Sequence, residues 1–159
     1  MIKRNKYEVI KDDREQRGWD FPESDECLGT TTERLPTGDY SIRGMEKVFV
    51  IERKLDLSEF SKNILEERFD RELERLEEFD YPFLIATFTY DNIKTFPINS
   101  GIPKYLWPKV KIKPNFILSK ICSYQVKYKT RFILAGEMGE SVAQMLFRKM
   151  AKLLGSDNE

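Results

Sequence analysis

The sequence contains no histidine. That excludes, within one chain, Ser-His-Asp hydrolases, His-dependent nucleases and His-ligated zinc enzymes. Acid–base or metal chemistry must therefore use carboxylates, lysine, tyrosine or water. The two cysteines, Cys27 and Cys122, are too few for a disulfide framework or a structural zinc site, so a reducing cytosolic setting is expected. No stretch is apolar over a bilayer's thickness, and no apolar region follows the basic residues 1–6, so neither a membrane partner nor a secretory signal is expected. Acids are missing from residues 92–131, which carry Lys94, Lys104, Lys109, Lys111, Lys113, Lys120, Lys127, Lys129 and Arg131. Formal net charge is nevertheless zero, because the acids crowd into the first ninety residues. A cationic half beside an acidic half suits a polyanion that is gripped and then cut, and equally a mixed-charge solvated surface.

What is present points to a globular chain. The 159 residues are 40% hydrophobic and include eleven Phe, enough for one domain spanning residues 1–159 with a polar tail at 155–159. The β-branched and aromatic run Val48 to Ile51 reads as a buried strand, and it leads directly into Glu52, Arg53 and Lys54. Strand alternation puts Glu52 and Lys54 on one face and Arg53 on the other. Asp39 follows Gly38 in or beside the preceding strand, and a hairpin through Arg43, Gly44 and Met45 would bring it alongside Glu52. Two carboxylates and an amine would then meet at one sheet edge. Carboxylates suit a hard divalent cation, and a lysine beside them suits developing negative charge or an attacking hydroxide. A Gly-Asp turn and a solvated strand end account for the same residues without any site.

Strands are expected at 7–10, 27–35, 39–42, 47–54, 82–90 and 131–135, the second to fourth forming an antiparallel meander. Helices are expected at 56–79, 114–127 and 141–154. In the first helix Leu57, Phe60, Ile64, Leu73 and Leu76 share a stripe, Phe69 falls off it, and Asp56 or Ser58 caps the start. Its acids and arginines read as a solvated face. Residues 91–97 read as a connection. Residues 105–113 read as a loop whose lysines, with Tyr105 and Trp107, are candidate nucleic-acid contacts, although burial of the aromatics explains them as well. The last helix carries an apolar stripe with Leu146 and Met150, read as core in preference to a dimer face. The order of elements is mixed α/β.

Three motifs recur in order: Asp12-Asp13-Arg14-Glu15 after a strand, Gly38-Asp39-Tyr40, and Val50-Ile51-Glu52-Arg53-Lys54 before a helix. Arg68-Phe69 and Glu72-Leu73-Glu74-Arg75 follow. Together these resemble the nuclease domain of the XPF family, in its freestanding microbial or phage form, within the PD-(D/E)XK superfamily. The resemblance implies a restriction-endonuclease-like α/β fold, a mixed sheet flanked by helices. It implies a DNA endonuclease requiring Mg2+ or Mn2+, in repair or recombination, with branched or single-strand/duplex junction DNA among its candidate substrates. Asp39 and Glu52 would be the principal metal ligands, joined by Asp12 directly or through water, with the Arg53 carbonyl completing the set. Lys54 would orient the attacking water, Arg14 and Arg53 would hold phosphate or brace the acids, and Glu15 would orient one of them. Lys104, Lys109, Lys111 and Lys113 would contact DNA. Further partners would be a second copy of the chain or a separate DNA-targeting subunit, and the setting the cytoplasm of a microbial or phage-infected cell. Where the family usually has an aspartate four residues after the lysine, this chain has Ser58, with Asp56 and Glu59 as substitutes. The paired helix-hairpin-helix domain of eukaryotic relatives is not seen in the sequence, so their junction specificity does not transfer freely. The alternative is an inactive nuclease-fold DNA-binding or scaffolding protein, against which stands the presence of Asp39, Glu52, Arg53 and Lys54.

Overall fold

The structure, a computed structural model, describes residues 6–155. Most of the basic start and the polar tail lie outside the described residues. A six-stranded mixed sheet runs β2 (Cys27–Glu33), β1 (Tyr7–Asp12), β3 (Tyr40–Ile42), β4 (Phe49–Lys54), β5 (Tyr81–Ala86), β6 (Arg131–Leu134). Strands β1, β3 and β4 pair antiparallel in turn, while β2, β5 and β6 each join their neighbour in parallel. The expected meander is thereby corrected: β2 sits outside β1, at the sheet's edge. Its threonines are exposed or half-exposed, whereas β1 is buried along nearly its whole length, and only the latter tolerates neighbours on both sides.

Helices cover both faces. One face carries α1 (Leu57–Asn63), α2 (Glu67–Leu76), α3 (Tyr90–Lys94) and α4 (Pro114–Lys127). Their Leu57, Phe60, Leu73, Ile117 and Ile121 pack on Val50 and Leu84. The other face carries α5 (Gly139–Gly155), whose Ala143, Phe147 and Met150 pack on Phe49, Ile51 and Ile85. The alternation of β4 is thus set by packing: Val50 lies with α1 and α2, Phe49 and Ile51 with α5.

The single helix expected at 56–79 is two. Asp56 caps α1, its side chain accepting from Glu59 N at 2.7 Å, and Ile64 ends it. Glu66 is extended, and α2 restarts with Phe69, Leu73 and Leu76 as its buried stripe. Phe69 missed the first stripe because it belongs to a second helix with its own phase. Strand β5 is shorter than expected because Thr89 opens α3. Thr89 and Asn92 satisfy each other's backbone amides in a capping box, so part of the connection expected at 91–97 is helical. Residues Lys104–Lys109 form a short 3₁₀ helix where a loop was expected. No helix of the described residues is long and apolar enough to cross a membrane.

Candidate active site

An open cleft of about 240 Å³ lies at the ends of β1, β3 and β4, lined by Asp12, Glu15, Asp39, Glu52, Glu72 and Arg75 among others. Its floor depends on a close backbone approach at Gly38. Gly38 has φ +86°, and a Cβ there would stand 2.1 Å from Val50 Cγ2, so only glycine fits. The Asp39 amide then donates to Ile51 O at 2.9 Å, and Asp39 O accepts from Asp12 N at 2.8 Å. The Asp39 carboxylate accepts from the Arg53 amide at 2.7 Å. The strand ends bearing the three motifs are therefore tied together by backbone.

Glu52 and Lys54 point to the α2 side, as alternation requires. Lys54 Nζ is 3.7 Å from Glu52 Oε1 and 3.6 Å from Glu72 Oε1, and lies 5.0 Å from the centroid of the Phe69 ring. Burial, with Asp39 and Glu72 as negative neighbours, holds the Glu52 carboxyl well above its ordinary range. Burial also raises Asp39, to about 7, with Glu15 and Glu72 adding to it and the Arg53 amide and Lys54 opposing.

Asp12 behaves differently. Its carboxylate accepts from Arg14 Nε at 2.8 Å, Arg14 Nη2 at 3.1 Å and the Leu35 amide at 2.8 Å. Burial alone would raise it, but these donors outweigh burial and hold it below the usual carboxylate range. Arg14 also donates to Leu35 O at 2.8 Å, bracing the cleft wall. Arg53 turns to the other face. Its guanidinium donates to Glu15 Oε1 at 3.2 Å and Arg17 O at 2.8 Å and lies over the Trp19 ring, so it is buried and holds the loop after β1. Glu15 is the other end of that brace.

Asp39, Glu52, Asp12, Glu15 and Arg14 are thus brought to one cleft, with Lys54 beneath it. Asp56 serves as the α1 cap, Glu59 is exposed, and neither lines the cleft. Ser58 donates its amide to Ser100 O at 3.0 Å, which seats the following basic segment on α1. In that segment Lys104, Lys109, Lys111 and Lys113 are exposed, and Tyr105 is 78% exposed. Trp107 is turned inward, its indole donating to Ile102 O at 2.9 Å. Two cleft residues, Glu72 and Arg75, were not foreseen as site members. Their signal was the Glu72-to-Arg75 motif itself, whose i,i+3 spacing puts both on one edge of α2.

Oxygen is the only donor type in the cleft, which suits a hard cation. Among the described residues no three His, Cys, Asp or Glu side chains form a ready-made cage. Mg2+ does not need one, because it keeps several waters and takes one or two carboxylates together with substrate phosphate. Asp39 and Glu52, electrostatically coupled carboxyls in one cleft, are the pair that would serve it.

Residues 11–146 match the ERCC4 domain family. The chain belongs to the ERCC4 domain family. Among solved structures, this ERCC4 domain is similar to XPF from Aeropyrum pernix, with a TM-score of 0.65 at 20% identity, covering 95% of this chain and 68% of that one. A second structure, XPF from Aeropyrum pernix in complex with DNA, matches with a TM-score of 0.61 at 19% identity, covering 96% of this chain and 66% of that one. This ERCC4 domain thus spans about two thirds of each solved chain, and at these identities the likeness establishes the fold. No curated protein sequence matches it.

Proposed function

We propose that the chain is a DNA endonuclease that depends on Mg2+ or Mn2+. One observation carries the reading: in an ERCC4 domain, the Asp39 and Glu52 carboxylates line a single cleft with the Lys54 amine paired to Glu52. Asp39 and Glu52 would hold the cation, whose chemistry is to polarise the scissile phosphate and lower the pKa of bound water. Lys54, paired with the cleft residues Glu52 and Glu72, would supply positive charge where negative charge grows during hydrolysis. The Arg53 amide fixes the Asp39 carboxylate, and Arg14, through Asp12, fixes the wall opposite. Arg75, exposed on the cleft's rim, and the lysines 104, 109, 111 and 113, which form no ion pair among the described residues, offer phosphate contacts, with Tyr105 as a stacking surface. One of the matched structures, XPF from Aeropyrum pernix, was solved in complex with DNA, which supports DNA as the partner.

The test incubates the purified chain with single-stranded, duplex, flap, fork and four-way DNA, with Mg2+, Mn2+ or a chelator. Cutting is expected with either metal, none with chelator, and none from Glu52→Gln under any condition. Equal cutting by wild type and Glu52→Gln, with contaminating nuclease excluded, overturns the proposal. The reading of an inactive DNA-binding protein is favoured by one feature, the burial of the Lys54 amine between two carboxylates and a phenyl ring. Calorimetry with Mn2+ separates the two, because an inactive site would take up no cation.

A further inference from the structure

We propose that Glu72 is a positioning residue that holds Lys54 in place for the reaction; the inference rests on the nuclease reading above. Lys54 ends in a compact charge on a flexible four-carbon stem, so its position depends on what grips the amine. Two carboxylates grip it, at 3.7 Å and 3.6 Å, and they come from different elements. Glu52 is on the same strand and belongs to the proposed cation site. A cation drawn to Glu52 would repel the amine and compete for the carboxylate that holds it. Glu72 comes from α2, which is fixed to the sheet by the buried Phe69, Leu73 and Leu76. It can keep the amine when Glu52 is otherwise engaged. Phe69, one turn earlier on α2, closes the remaining side with its ring. The amine therefore sits between Glu52 of β4 and a wall built by α2, from which Glu72 supplies the facing charge.

The arrangement also assigns a use to an acid that reads, in sequence, as part of a solvated face. Side-chain exposure is 20% for Glu72, against 95% for Glu67 earlier on the same helix, so the two acids have different fates. No contact to DNA is required of Glu72, and its carboxylate would repel a phosphate that came close.

The test uses the full chain and the variants Glu72→Gln and Glu72→Ala. Brief acetylation with an amine-selective ester, read by mass spectrometry, reports how tightly Lys54 is held, with Lys104 and Lys109 as internal references. Labelling of Lys54 should rise severalfold in the order wild type, Glu72→Gln, Glu72→Ala, while the reference lysines do not change. Cleavage should fall through kcat, by about a hundredfold for Glu72→Ala, with KM for DNA unchanged. Mn2+ binding by calorimetry should persist in both variants, because both proposed ligands remain. Unchanged Lys54 labelling overturns the proposal. So does complete loss of Mn2+ binding, which would make Glu72 a ligand. Glu72→Gln preserves side-chain volume, so a labelling change seen there cannot be assigned to unfolding. If the wild type cuts no DNA with either metal, the nuclease reading fails by itself, and the labelling series still decides whether Glu72 holds the amine.

Discussion

Asp12 and Glu52 end neighbouring parts of the same sheet, and both are buried carboxylates facing one cleft, yet their surroundings are opposite. Asp12 is met by Arg14 and the Leu35 amide, which together supply more than its burial takes away. Glu52 is met by two further carboxylates and only one amine, so its ionised form is costly. The difference separates an acid already held by the chain's own donors from an acid that, on the proposed function, would be held by a cation. A carboxylate whose oxygens are filled by the chain stabilises the fold. A carboxylate left short of positive charge destabilises the fold until something else supplies it.

The largest expected effect breaks this contrast directly. Glu52→Gln should abolish cleavage and, in chelator at neutral pH, make the protein more stable, by about 1 kcal/mol or more. Asp12→Asn should do the reverse to the fold, lowering stability by about 2–4 kcal/mol, since Arg14 and the Leu35 amide lose a charged acceptor. The pH dependences also run in opposite directions. Glu52 and Asp39 have folded values raised above the ordinary range, Asp39 to about 7, so the folded state holds protons that the unfolded state releases. Their contribution is fully favourable below the ordinary carboxylate range and is lost as pH rises through each group's raised folded value, about 7 for Asp39. Asp12 has a depressed value, so its contribution is present above the ordinary range and is lost as pH falls through its folded value. Denaturant melts of wild type and both variants from pH 4 to 8, in chelator, check this. Equal loss of stability in both variants would collapse the distinction.

Glycine 38 sharpens the contrast from the backbone side, with a smaller effect. Gly38→Ala places a methyl against Val50 and an L-residue at φ +86°. Stability should fall by about 2 kcal/mol. Cleavage should fall further than unfolding alone explains, because the Asp39 carboxylate moves off the Arg53 amide. A fully folded variant with wild-type activity would show that Asp39 does not need that placement.

How far these roles were readable in advance follows from what each residue's pattern constrains. Glu52, Arg53 and Lys54 were legible because a strand's alternation leaves only two faces, and the apolar residues before them say which is which. Asp39 was legible through the Gly-Asp step, although the close approach to Val50 that requires glycine was not. Glu72 was hidden among the seven charged residues of α2, where only the true helix phase separates inward from outward. That phase is legible only once residues 64–66 divide one helix into two. The place of β2 was equally hidden, since a run of threonines reveals an extended chain but not its neighbour. Asp56 was legible as a cap, and its place at the start of α1 leaves it outside the cleft lining.

The smallest expected effect lies far from the buried acids, in the exposed lysines, and tests whether gripping and cutting are separable. Lys111 and Lys113 form no ion pair among the described residues and follow a 3₁₀ helix seated on α1 through Ser58 and Ser100. Each phosphate that the chain no longer neutralises should reduce the salt dependence of binding by a fixed amount. Replacing both lysines with alanine should therefore make the slope of log affinity against log salt shallower by roughly 1.8 on duplex DNA and about 1.4 on single strands. Binding should weaken uniformly across sequences, with kcat at saturating DNA unchanged. An unaltered slope would remove these lysines from the interface and leave Arg75 and the cleft rim to hold the substrate. A lower kcat would mean that the basic segment acts on the Lys54 socket through α1, so that grip and cut are one device.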